Sequence, residues 1–141
     1  MKVNEIMTRD PACCTPETRL QDIARLMSEQ NCGAIPVVEN ENSHRLLGIV
    51  TDRDIALRAF NQGEGDPSAM TAADCMTKPV YTVQQNASID DCWQQMAEHQ
   101  VRRVPVVDEA GECCGIVAQA DLARSDPNAA SQFLRRVSQA N

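Results

Sequence analysis

The chain has 141 residues, the usual size of one compact domain. Its 13 basic and 20 acidic residues give a net charge of −7, and no run of Lys and Arg is long enough to follow a phosphate backbone. No apolar stretch approaches the roughly 18 residues that a membrane span needs, and the first residues lack a signal-peptide core. Nucleic-acid and membrane partners are therefore not expected, and the predicted location is cytoplasmic.

The sequence repeats itself at a spacing of 69 residues, so each predicted element occurs twice. The first of these elements is a short strand, predicted at 12–15 and again at 80–82. The repeat is visible where Met7-Thr8 matches Met76-Thr77. An apolar stripe at i, i+3, i+4 and i+7 then predicts one amphipathic helix in each copy. The two stripes are Leu20, Ile23, Ala24 and Met27, and Ile89, Cys92, Trp93 and Met96.

Start signals precede both helices. Thr18 with Gln21 predicts a capping box before the first helix, and Ser88 with an acid three residues later predicts its equivalent in the second copy. Each helix is followed by a β-branched run with one proline, at 34–38 and 103–107, which predicts a strand that lies at a sheet edge or has the proline among its first residues. A polar turn and a second apolar run at 48–50 and 115–117 complete a hairpin in each copy, before a further helix.

The predicted fold is α/β (α+β), with two pseudo-symmetric β-α-β-β-α motifs packed as one module. A unit of about 60 residues is marginal alone, so the two motifs should bury their apolar faces on each other. The predicted boundaries are motif 1 at 1–62, a linker rich in turn formers at 63–72, and motif 2 at 73–125. Asp126-Pro127 predicts a separate C-terminal helix at 126–141, which carries Phe133, Leu134 and Val137.

The end of the first hairpin is the segment most suited to ligand chemistry. The strand ends in Thr51, and the following helix has Asp54 in its first turn. Free N–H groups at a helix start favour phosphate, a carboxylate accepts hydrogen bonds from ribose hydroxyls, and Arg53 would add a charge-assisted contact. The same Thr-x-x-Asp spacing is also an ordinary helix cap that needs no ligand. In the second copy Ala118 cannot cap the helix, yet Asp121 is an acidic residue at the position equivalent to Asp54.

Together these motifs resemble a tandem of CBS motifs, as in the regulatory domain of cystathionine β-synthase and in many stand-alone bacterial proteins. The resemblance covers residues 3–124. It rests on the Met-Thr starts, the Ala-Ile-Pro-Val-Val and Arg-Val-Pro-Val-Val strands, and Gly-Ile-Val-Thr-Asp-Arg-Asp, which fits the family's ligand signature. Residues 86–89 and 99–105 are also similar to mycobacterial hypoxic response proteins.

The resemblance implies a regulatory module that binds an adenine nucleotide in two clefts between the motifs, AMP being the first choice and ATP, ADP and NAD the alternatives. One implied cleft combines Thr82, Val101, Arg102 and Arg103 with Ile49, Thr51, Arg53 and Asp54. The other combines Thr15, Cys32, Gly33 and Ala34 with Ile116, Ala118, Ala120 and Asp121. Because Ala118 lacks a hydroxyl, the first cleft is the expected phosphate site. There Asp54 is assigned to the ribose, Thr51 to phosphate, and Arg53 with Arg102 or Arg103 to the remaining charge.

Other functions stay open at this point. An enzyme is not expected, because the only imidazoles, His44 and His99, lie in polar surroundings. A thiol or zinc sensor is an alternative, since Cys13-Cys14 and Cys113-Cys114 are adjacent pairs, although neighbouring strand residues point to opposite faces. Most of the seven cysteines are expected to be buried free thiols, with no metal site. A ligand-independent dimerisation scaffold is the third alternative, and the resemblance implies a homodimer that acts on an unknown effector protein.

Overall fold

The computed structural model describes residues 1–61, 65–78 and 81–125. Its helices are α1 (Leu20–Gln30), α2 (Asp52–Asp54), α3 (Ala72–Cys75), α4 (Ile89–His99) and α5 (Gln119–Ser125), and α2 continues as a π-helical segment, Ile55–Asn61. Its strands are β1 (Thr8–Arg9), β2 (Ala34–Val38), β3 (Leu46–Thr51), β4 (Val83–Gln84), β5 (Arg103–Val107) and β6 (Cys113–Ala118). The predicted C-terminal helix at 126–141 and residues 63 and 64 of the predicted linker lie outside the described residues.

The chain forms two compact units, and each unit draws on more than one segment. Unit 1 contains residues 1–10, 81–110 and 114–125, and unit 2 contains residues 11–61, 65–78 and 111–113. The first ten residues therefore pack with the helix and hairpin of the second sequence copy. None of the described helices is long and apolar enough to cross a membrane.

Unit 1 is built on a four-stranded sheet in the order β1-β6-β5-β4. β1 runs antiparallel to β6, with Thr8 opposite Ile116, and β4 runs parallel to β5, with Val83 opposite Val106. The strand predicted at 80–82 is thus wrong by position, because the buried residue that pairs with β5 is Val83. β6 and β5 form the predicted hairpin of the second copy.

Unit 2 holds the hairpin of the first copy, β2 and β3, in which Ala34 lies opposite Thr51 and Val37 opposite Gly48. A bulge falls between Val37 and Val38. On its other side β2 makes a parallel bridge with Cys14, whose N–H donates to the Pro36 carbonyl at 3.0 Å. The first hairpin and a short extended segment before α1 were therefore predicted correctly.

The edge position, one of the two alternatives predicted for the proline-containing strands, is wrong, since β2 and β5 each have a neighbour on both sides. Each proline is the third of the five residues of its strand. The reason lies in the parallel pairing. A parallel partner opposite Val37 uses the carbonyl of Pro36 and the N–H of Val38, so the N–H that proline lacks is not needed. Val106 stands in the same relation to Pro105 in β5.

The apolar stripes form α1 and α4, as predicted. In α4 all four stripe residues are buried, whereas in α1 Leu20 and Ile23 are buried and Ala24 is exposed. The Ser88 hydroxyl caps α4 by accepting the Asp91 N–H at 3.1 Å. The cap predicted at Thr18 is wrong.

The N-cap of α1 is Arg19. The Thr18 hydroxyl instead accepts the Thr15 N–H at 3.0 Å, because the two threonines close a turn of their own before the helix.

Candidate functional site

The turn from β3 to α2 is a reciprocal cap. The Thr51 hydroxyl accepts the Asp54 N–H at 3.1 Å, while Asp54 Oδ2 accepts the Thr51 N–H at 2.9 Å and the Thr51 hydroxyl at 3.0 Å. The Thr77 hydroxyl donates to Asp54 Oδ1 at 3.1 Å. The half-buried Asp54 carboxylate is therefore fixed by three donors, and the helix-cap interpretation of Thr-x-x-Asp is confirmed.

The free backbone N–H groups expected at this helix start are not found. The Asp52 N–H donates to the Gly33 carbonyl at 3.0 Å, and the Arg53 N–H donates to Asp52 Oδ1 at 2.8 Å. The Asp54 N–H is taken by Thr51, so side chains of the turn itself occupy the positions of an anion. A phosphate here would first have to displace the exposed Asp52 side chain.

Two arginines of this helix differ in their surroundings. Arg53 is exposed, and its guanidinium has no hydrogen bond or ion pair within the part of the chain that the structure describes. Arg58 donates to the carbonyls of Cys75 and Met76 at 3.1 and 2.9 Å and so ties the helix to the end of α3. Arg53 is the cation of the pair that remains available to a ligand.

The second strand-to-helix turn, in unit 1, uses its acid differently. Asp121 Oδ2 accepts the Ala118 N–H at 2.8 Å, and Asp121 Oδ1 pairs with the Arg124 guanidinium. Ala118 contributes no hydroxyl, and Ala120 is exposed. The carboxylate that the resemblance implies as a ligand is thus held by an arginine of its own helix.

Within each unit the structure brings residues of one sequence copy together. In unit 2, Gly33 and Ala34 lie beside Asp52 and Thr51, respectively, and in unit 1 the Arg102 carbonyl accepts the Gln119 N–H at 2.9 Å. The remaining predicted residues are Ile49, buried in β3, exposed Cys32, and half-buried Thr15, Thr82, Val101, Arg103 and Ile116. The two groupings that the resemblance implies each draw on both units, so they remain predictions.

The contact of Thr77 with the site was not predicted from the sequence, although its hydroxyl fixes the Asp54 carboxylate. The available signal was the Met-Thr pair that marks the start of each copy, which was used only to align the repeat. A cavity of about 440 Å³ in unit 1 was not predicted either. Its lining consists of Thr82, Val83, Gln84, Ala87, Asp91, Gln94, Gln95 and Glu98.

Neither histidine belongs to a strand-to-helix turn. The His99 ring stacks on Tyr81, with centroids 3.6 Å apart and an interplanar angle of 9°, and His44 is exposed. Among residues 1–61, 65–78 and 81–125, no three His, Cys, Asp or Glu side chains come close enough to hold a metal ion together.

A hairpin followed by a helix whose first-turn acid bonds back to the strand occurs once in each unit, and this defines a two-copy α/β module. The family model for the CBS domain matches residues 3–60 and 72–128. The chain therefore belongs to the CBS domain family, as a tandem pair of the regulatory kind, and the predicted resemblance and fold class are confirmed.

Known proteins similar to this chain carry different ligands. Hypoxic response protein 1 of Mycobacterium tuberculosis is 38% identical over 134 residues, which cover 94% of this chain and 91% of that protein. Its crystal structure, with two coordinated zinc ions, matches with a TM-score of 0.78 over 88% of this chain and 98% of that one. The narrower likeness to hypoxic response proteins is thus confirmed.

Two solved complexes hold adenosine compounds. CBSX2 of Arabidopsis thaliana in complex with AMP is 26% identical, with a TM-score of 0.77 over 90% of this chain and 96% of that one. The CBS domain pair of MJ0100, in complex with 5′-methylthioadenosine and S-adenosyl-L-methionine, is 25% identical. It matches with a TM-score of 0.79 over 91% of this chain and 97% of that one.

Proposed function

We propose that this chain is a regulatory sensor that binds an adenine nucleotide at the turn from Thr51 to Asp54. AMP is the first choice, and ATP, ADP and NAD are the alternatives. The observation that carries the proposal is the Asp54 carboxylate, which Thr51 and Thr77 hold in one orientation. The preceding residue, Arg53, is exposed and has no ion pair among the described residues. The adenosine compounds bound by CBSX2 and by the MJ0100 pair support the choice of ligand.

The chemistry of a carboxylate suits the ribose. An ionised carboxyl group has about four acceptor positions, and three of those on Asp54 are occupied by protein donors. One ribose hydroxyl can take the remaining position, and the second can replace the hydroxyl of Thr51 or Thr77. A Thr51 hydroxyl released in this way would donate to a phosphate oxygen, and Arg53 would neutralise the phosphate charge.

The other residues implied by the family belong to the proposal as further contacts. Thr82, Val101, Arg102 and Arg103 are proposed for the adenine and for the remaining negative charge. The second implied site, with Asp121, is the weaker one, because a ligand there would have to compete with Arg124 for the carboxylate. The proposed active form is a homodimer that acts on an effector protein, and light scattering on the purified chain reports whether the dimer exists.

Calorimetric titration with AMP, ADP, ATP and NAD tests this proposal. Asp54→Asn keeps a side-chain acceptor for the cap and removes the charge, so we expect about tenfold to a hundredfold weaker binding of the preferred nucleotide. The matched control is Asp121→Asn, the same change in the other copy, which should leave the affinity of the first site unchanged. Melting temperatures of the unliganded variants show that both are folded.

Equal affinities for Asp54→Asn and the unaltered chain would rule out the ribose role of Asp54. Absence of binding by any of the four nucleotides would contradict the proposed function itself and would leave a scaffold without a ligand as the better account.

A further inference from the structure

The fold separates the members of each adjacent cysteine pair. Cys14 is buried beside β2, and burial raises the pKa of its thiol to about 12. Cys114 belongs to unit 1, where its thiol donates to the Val106 carbonyl at 3.6 Å. Because successive strand residues point to opposite faces, Cys113 and Cys114, which follow one another in β6, do not present both sulfurs to the same side.

The two remaining cysteines, one from each pair, are Cys13 and Cys113, and they contact each other. Cys13 is half-buried, Cys113 is buried, both belong to unit 2, and the Cys113 thiol hydrogen-bonds to the Cys13 sulfur. Two thiols that are 100 positions apart in the sequence thus lie side by side.

The backbone holds this contact in place. The Cys113 N–H donates to the His44 carbonyl at 2.8 Å, and the preceding residue, Glu112, forms an antiparallel bridge with Arg45. The side chain of Glu112 also accepts the His44 N–H at 3.1 Å. On the other side, the Cys13 thiol donates to the Pro11 carbonyl at 3.3 Å. Each cysteine of the contact is therefore anchored by a hydrogen bond of its own to a backbone carbonyl.

We propose that Cys13 and Cys113 form a reversible disulfide that reports an oxidant, independently of the nucleotide site. Cys13 is the attacking thiol, because it is the more exposed of the two. With a peroxide as the oxidant, the Cys13 thiolate attacks one oxygen, the O–O bond breaks, and the other oxygen leaves and takes up a proton as water. The Cys113 sulfur then displaces the hydroxyl of the sulfenic acid, which leaves as a second water, and an S–S bond forms.

The hydrogen bond from Cys113 also lowers the pKa of the Cys13 thiol, which increases the thiolate fraction available for the first step. Overall, two thiols and one peroxide give one disulfide and two waters. A dithiol reductant reverses the reaction.

The expected consequence is a cross-link between the two sequence copies. A disulfide that closes a loop of this length restricts the unfolded chain strongly, so we expect the oxidised form to melt roughly 5–10 °C above the reduced form. The cross-link would lie next to His44, two positions before the start of β3.

Peptide mapping under non-reducing conditions tests the proposal. The reduced chain is treated with hydrogen peroxide, free thiols are blocked by alkylation, and tryptic peptides are sequenced by mass spectrometry. We expect peptide 10–19 joined to peptide 104–124, with fragment ions that place the link on Cys13 and Cys113, and loss of the link on treatment with dithiothreitol.

Matched variants separate this pair from its neighbours. Cys13→Ser and Cys113→Ser should abolish the cross-link and the rise in melting temperature. Cys14→Ala, Cys114→Ala and the exposed Cys32→Ser should retain both. A link through any of the last three cysteines, or no intramolecular link at all, would overturn the proposal, and mapping of the unaltered chain decides this even where a variant fails to fold.

Discussion

Replacing Met96 with alanine is expected to lower the free energy of unfolding by about 2–5 kcal/mol. Met96 is completely buried in the core of unit 1, where it packs among residues of α4, the sheet and α5, including Trp93, Val117 and Leu122. Truncation leaves a cavity that these neighbours cannot fill, so the loss of contacts adds to the lost transfer free energy. Urea denaturation followed by circular dichroism measures the change.

The matched control is Met27→Ala. Met27 occupies the equivalent position of the first copy, yet it is only partly buried at the margin of the unit 2 core. Because water already reaches part of this side chain, we expect less than half the effect of Met96→Ala, about 1 kcal/mol. Equal losses for the two variants would show that the cores of the two units are not packed as described.

Gly115→Val carries the second large effect, an expected loss of about 1–3 kcal/mol from overpacking. A Cβ atom at Gly115 would overlap the Sδ atom of Met7 and lie 3.0 Å from the Thr8 carbonyl oxygen. Met7 is buried, so its side chain has no open space to move into, and the carbonyl belongs to the backbone of β1. The variant must therefore push β1 away from β6.

Gly65→Val is the control for this substitution, because a Cβ atom at Gly65 meets no other atom within 4 Å. Its stability should lie within about 0.5 kcal/mol of the unaltered chain. If Gly115→Val unfolded at the same urea concentration as this control, the close approach of Met7 to β6 would be contradicted. Gly48 has the same relation to Met76 and Thr77, which explains why both copies pair a Met-Thr start with a strand glycine.

Much of the fold was predictable because the repeat supplies each signal twice. The stripes of α1 and α4 and the two hairpins are periodic features of the sequence, and the paired copies identified the family. Local chemistry fixed the Thr51 cap as well, since its donor and acceptor are only three residues apart.

The predictions that were wrong concern groups whose partners are distant in the chain. The edge prediction for β2 failed because a parallel partner at Cys14 does not need the missing N–H of Pro36. The free N–H groups at α2 are satisfied in part by Gly33, which belongs to another strand end. The pairing of Cys13 with Cys113 also had no local signal. The residues implied for the nucleotide remain a prediction, apart from the local geometry of their turns.

The most direct measurement is an AMP titration of the ¹⁵N-labelled protein, followed by NMR at each backbone amide. The proposed function predicts that the largest shift changes fall on Asp52, Arg53, Asp54 and Thr77, and that they disappear in Asp54→Asn. Changes confined to the lining of the unit 1 cavity, or no changes with AMP and none when the titration is repeated with ADP, ATP and NAD, would contradict a nucleotide site at this turn.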